Sequence, residues 1–231
     1  MEIAKAAAGL FVARGLKATR AEDIARAAGI APRTFYRYFA TKEEAVAPLY
    51  AAGAERWAEA VREAPPELPV AEALAHAVHH TLVPGRGVSA ASWEWARTLI
   101  RLATTSPALG KIWAEVCQAS EETLAAVLAA RLSAGGSRGR STRVATGVVS
   151  TDVSERGSAD VSRGVSAGGG IPPRTPHQRF SAAVASAAVR VAVESWAATD
   201  TPATGPEGPA ELALRNLGAL REFRWEDPEE S

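Results

Sequence analysis

A single cysteine, Cys117, stands in 231 residues, so no intrachain disulfide can form and nothing requires an oxidising compartment. Net charge is missing too: 26 basic side chains balance 26 acidic ones, which counts against a nonspecific, architectural DNA binder. No run of about 18 apolar residues occurs, so no membrane-spanning helix is expected. The N-terminus lacks the charged-then-apolar order of a signal peptide. A cytoplasmic protein is the expectation. Strand patterns are nearly absent, and no repeat with a period of roughly 20–50 residues is visible.

What is present is helix. At 47% apolar content the chain can bury a substantial core, and the expected fold class is all-α. Ile3, Ala7, Leu10 and Phe11 make one apolar stripe over residues 3–14, which Gly15 ends. Thr19 and Glu22 have the spacing of a capping box for a short second helix, closed by Gly29. Pro32 suits the first turn of a third helix, which runs to Phe39. Thr41 and Glu44 suggest another box, opening a helix from Lys42 to Arg62. The run "APPELP" (64–69) breaks it. Further helices are expected at 70–83, 90–104, 108–132, 179–198 and 207–223, with a "PGRG" turn at 84–87.

Residues 20–45, "RAEDIARAAGIAPRTFYRYFATKEEA", carry the chemistry. Two short helices joined by a turn containing Gly29 form a helix-turn-helix pattern. Phe35 and Phe39, four apart, share the inward face; Tyr36 and Tyr38 present hydroxyls beside Arg33 and Arg37. Such hydroxyls and cations can bond phosphate oxygens, and an arginine can read a guanine edge. The plainer alternative is an amphipathic helix with a solvated outer face. Residues 1–50 hold eight Lys/Arg against five Asp/Glu, which sets the positive excess next to these rings.

Residues 3–49 resemble the N-terminal domain of TetR-family transcriptional regulators. The resemblance is carried by Ala7-Ala8, Leu10-Phe11, Gly15, Asp23-Ile24-Ala25, Ala28-Gly29, Thr34 to Phe39 and Lys42-Glu43. It implies that Thr34, Tyr36 and Tyr38 contact the DNA backbone, that Lys42 clamps a phosphate, and that Arg33 and Arg37 face bases. Where the family's motif has a second Thr this chain has Arg20, leaving Thr19 to cap and Arg20 free for a phosphate. The basic arm common ahead of the first helix is missing, so either that minor-groove contact is lost or the true start lies upstream of Met1. The segment from "PPELP" to "TTSPAL" resembles regulators of the actinobacterial type.

The domain plan that follows has a DNA-binding head at 1–46 and a helical regulatory domain at 47–132. A Gly/Ser/Arg-rich, disordered insertion is expected at 133–177 and C-terminal helices at 178–225. In the insertion the valines of "TGVVSTDV" leave room for a strand, and six arginines against three acids could attract phosphate. The resemblance implies a homodimer through 179–198 and 207–223, with Leu212, Leu214, Leu217 and Leu220 in the interface; burial of the 179–198 helix in the middle of its own subunit is the alternative. A dimer would read a palindromic operator on double-stranded DNA. It also implies a pocket for an unknown small-molecule effector, for which Trp57, Trp93, Trp95, Trp113 and Cys117 are candidates; core packing is the alternative for each. The implied function is a repressor released from its operator by that effector. An activator, or a regulator without a ligand, is the alternative; a helical enzyme is more distant. No nucleophile elbow, phosphate loop or paired metal motif occurs, so neither catalysis nor a cofactor is expected. His76, His79 and His80 have metal-compatible spacing, but the only acid in reach is Glu72, one turn earlier, and a solvated or pocket-lining role is preferred.

Overall fold

Helix N-termini and turn residues divide the chain much as the sequence suggests. The computed structural model describes residues 1–84, 90–143 and 174–225. Among these residues the architecture is all-α: α1 (Glu2–Arg14), α2 (Ala21–Ala27), α3 (Pro32–Tyr38), α4 (Ala47–Glu63), α5 (Val70–Leu82), α6 (Ala90–Thr105), α7 (Pro107–Arg143), α8 (Pro176–Ala197) and α9 (Pro209–Ala219). No helix among them is long and apolar enough to cross a membrane.

Three apolar clusters organise the molecule. The largest joins α4, α5, α7, α8 and α9 around Trp57, Leu74, Leu124, Leu128 and Leu217. A second joins α1, α2 and α3 to Tyr50 of α4, Leu99 and Ala103 of α6, and Leu109 of α7. The third sets Trp93 and Ile100 of α6 against Trp196 of α8, the two indoles meeting edge-to-face at 5.4 Å. Arginines stitch the joints. Arg131 donates to the carbonyls of Ala64 and Pro65 at 2.7 and 2.8 Å, satisfying the "APPELP" break between α4 and α5. Arg101 does the same for Ala197 and Thr199 at the end of α8.

Several boundaries differ from the sequence expectations. Thr19 does not cap α2. Its side chain is 1% exposed, and its hydroxyl donates to the Gly15 carbonyl at 2.9 Å. Arg20 takes the cap position, where the Asp23 carboxylate accepts from its backbone N–H at 3.2 Å. Thr41 accepts from the Glu44 N–H, but Glu44 reaches back to the Ala40 N–H, and the result is a 3-10 turn at Glu44–Val46. Regular α4 therefore starts at Ala47 with Pro48 in its first turn, not at Lys42. α7 continues to Arg143, past the expected end at 132. α8 starts at Pro176, because Thr175 and Gln178 form a capping box with both bonds at 3.1 Å. The "TGVVSTDV" segment and most of "PGRG" lie outside the described residues.

Gly9, inside α1, faces Trp95 of α6: a Cβ added there would rest 3.6 Å from the indole ring, an ordinary contact. Glycine inside a helix forfeits about 0.5–1 kcal/mol relative to alanine. Gly9→Ala is therefore expected to raise the thermal midpoint by a few degrees, as roughly 1 kcal/mol should in a chain of this size. A lowered midpoint in a calorimetric scan would contradict this packing of α1 on α6.

Candidate nucleic-acid interface and cavity

The positions of α2 and α3 follow from one glycine and one buried ring. Gly29 takes φ 70°, a left-handed angle that suits glycine, and lets the Ile30 N–H return to the Ala25 carbonyl at 2.9 Å. Phe35 is fully buried and touches Phe39 at 5.4 Å between centroids. With Phe35 turned inward, the opposite side of α3 faces solvent. Arg33, Tyr36, Arg37 and Tyr38 are exposed there, Thr34 is half-buried, and Arg20 is exposed at the start of α2. These six expected contact residues thus keep at least part of their surface accessible.

Their internal bonds differ in a way that sequence could not show. Arg33 has no protein partner among the described residues, so its five N–H donors are available. Arg37 lies over the Tyr38 ring, 5.0 Å from its centroid, and donates to its hydroxyl at 3.1 Å. The Tyr36 hydroxyl donates to Glu22 at 3.2 Å. That bond to a carboxylate holds the phenol above its usual range.

Two expected contacts are turned inward. Thr19 is buried, with its hydroxyl satisfied by backbone carbonyls. Lys42 is half-buried, and its ammonium donates to the carbonyls of Leu16 and Thr19 at 2.7 and 2.8 Å. In the fold it clamps the α1–α2 turn to the segment leading into α4. The motif placed Lys42 correctly next to the head. That its charge faces two carbonyls depends on contacts 23 and 26 residues away.

The second feature is a cavity of about 830 Å³ among α4, α5, α6, α7 and α8. All five sequence candidates, Trp57, Trp93, Trp95, Trp113 and Cys117, line it, and so does Lys5 from α1. Its volume lies within the usual range for small-molecule sites. Tyr50, also in the wall, donates to the Leu99 carbonyl at 2.8 Å and meets Trp113 edge-to-face at 5.1 Å. Burial pushes its phenol well up, and pushes the Cys117 thiol up to about 11, so both stay neutral at ordinary pH. Of the three histidines of α5, only His80 lines the cavity. No cluster of potential metal ligands occurs among the described residues.

Sequence reasoning missed the contribution of α8. Ser186 and Arg190 line the cavity, and Trp113 Nε1 donates to Glu194 at 2.6 Å. The signal was available: Arg190 and Glu194, four apart, are the only ionisable residues between Phe180 and Ala197.

A helix-turn-helix head fused to a helical body with its own cavity defines the class. Residues 3–47 match the family model of bacterial regulatory proteins, tetR family. Over almost the whole chain the fold is similar to Thermus thermophilus FadR, a TetR-family transcriptional repressor solved in complex with lauroyl-CoA. The TM-score is 0.51 and identity 21%, covering 98% of this chain and 96% of that one. A transcriptional regulator from Rhodococcus sp. Rha1 is similar at TM-score 0.50 and 19% identity, covering 98% of each. None of the curated proteins matches. Residues 3–47 are thus similar to the DNA-binding head of that family, and the fold of the whole chain is similar to that of solved TetR-family regulators.

If the Lys42 ammonium holds the head together, Lys42→Met should destabilise the protein by about 1.5–3 kcal/mol, the usual worth of charge-assisted bonds. Urea denaturation measures this. An unchanged midpoint combined with weakened DNA binding would return Lys42 to the phosphate-clamping role.

Proposed function

We propose that the protein is a dimeric repressor whose grip on a palindromic operator loosens when a small effector fills the α4–α8 cavity. The observation that carries this reading is the cavity's reach, from Lys5 of the head to Arg190 of α8. A ligand inside it touches both the reading head and the body. Tyr50 and Trp113 give it a lever, since they couple the cavity wall to the first turns of α4. A ligand that fits only one setting of α4 selects that setting, and the spacing of two heads changes with it. Half-sites about one helical turn apart tolerate little error in that spacing. The Thermus thermophilus relative, a repressor with a bound small molecule, supports the same reading.

On the head, Arg33 is the favoured base reader because its guanidinium has no competing partner, with Arg37 beside it. Tyr36, Tyr38, Thr34 and Arg20 are suited to the phosphate backbone. For the dimer, the α8 surface is favoured over the α9 leucines. Leu217 is buried in the chain's own core, and Leu212, Leu214 and Leu220 pack against it. Phe180 and Val191 of α8 remain 58% and 46% exposed. Exposed large apolar side chains along one helix suit a self-complementary interface.

Arg33→Ala should lower discrimination between operator and scrambled duplex roughly tenfold or more, the loss of about 1–3 kcal/mol for one bidentate base contact. Gel-shift titrations at fixed salt read this out. A uniform loss on both duplexes would make Arg33 a phosphate contact instead. Val191→Glu should convert a dimer to a monomer in sedimentation equilibrium and weaken operator binding with it. A wild-type protein that sediments as a monomer at micromolar concentration would remove the two-headed reading.

A further inference from the structure

The chemistry of the cavity wall narrows what can occupy it, taking as given the proposal that it is the effector site. Charge comes first. Lys5, Arg56, Glu59 and Glu63 are exposed at its mouth, and farther in Arg190 is already paired with Glu194 at 3.4 Å, so the wall offers a charged ligand no unpaired opposite charge. A ligand with a net charge would leave one unit uncompensated in a space walled largely by tryptophan and aliphatic side chains. The desolvation of that charge would then go unanswered.

Hydrogen-bonding capacity comes second. Trp113 Nε1 holds Glu194 at 2.6 Å, whereas Arg190 Nη1 reaches the same carboxylate only at 3.4 and 3.5 Å. Glu194 is thus committed to Trp113 and neutralises Arg190 without saturating it. The other N–H groups of Arg190 meet no protein acceptor among the described residues. One turn earlier on the same helix face, the Ser186 Oγ is buried with no hydrogen-bond partner. Unused donors on adjacent turns, facing an apolar space, call for an acceptor brought by the occupant.

We infer that the cavity takes an uncharged molecule with an apolar, ring-containing body and one carbonyl acceptor, seated on Arg190 and Ser186. The tryptophans supply contact area for the body. Arg190 and Ser186 set its orientation, and the balanced charge selects against carboxylates and amines. Burial holds the Cys117 thiol protonated at neutral pH, so it adds no anionic charge to the wall.

Three probes built on one skeleton test this with the full chain: the neutral ketone prodan, the matching dimethylaminonaphthoate, and dimethylaminonaphthalene without an acceptor. Fluorescence titration should show the ketone binding at least about tenfold more tightly than either analogue. Arg190→Met should bring the ketone to within about threefold of the acceptor-free probe, and Ser186→Ala should weaken it about threefold. Circular dichroism on both variants verifies that the helices persist. Tighter binding of the naphthoate, or a ketone indifferent to both substitutions in folded protein, overturns the ligand class and leaves the effector site standing. If none of the probes binds and tryptophan emission does not move, both the ligand class and the effector cavity fall.

Discussion

The apolar core that runs from Ala7 and Phe11 through Ile24 and Phe35 to Leu99 and Leu109 belongs to two parts of the molecule at once. Three short helices of 13, 7 and 7 residues bury too little surface to be robust alone. Borrowing Tyr50, Leu99, Ala103 and Leu109 from α4, α6 and α7 completes their core. Within that shared core α3 packs on α2, and α1 packs on α2, α4 and α6, so α1 is the element that joins the head to the residues backing the cavity.

Polar contacts reinforce that tie where apolar packing would leave it loose. The Lys42 ammonium satisfies two carbonyls of the α1–α2 turn, and the Tyr50 hydroxyl satisfies one on α6. Each links the start of the α4 segment to a different neighbour. At the far side, Arg97 lies over the Trp196 ring at 4.4 Å while Arg101 caps the end of α8. These are charge-assisted or aromatic contacts in half-buried settings, where they are worth more than at the surface. One of them, the Tyr50 bond to the Leu99 carbonyl, braces the cavity wall directly.

Much of the head was legible because its signals are local. Gly29, Pro32 and the Phe35/Phe39 spacing each constrain the chain within a single turn, and the structure follows them. The capping residues show the boundary of that approach. Thr19 satisfies the local pattern of a cap, yet burial against α1 engages its hydroxyl first, and Arg20 with Asp23 takes over. The opposite case is α8: Thr175, Pro176 and Gln178 are a complete local start signal, masked to the eye by the Gly/Ser-rich composition before it. The five cavity candidates were chosen on residue type alone. Their convergence was not derivable, since they sit up to 60 residues apart on three helices.

The sequence by itself determined the all-helical class, the helix-turn-helix and which rings of α3 face inward, since helical periodicity and turn chemistry act over a few residues. Only the tertiary structure decided the rest. The Lys42 ammonium reaches two carbonyls of the α1–α2 turn, Arg190 becomes a cavity residue, and the α9 leucines pack on their own chain's core. Each of these depends on which distant group arrives within bonding distance, and that is fixed by how the helices pack.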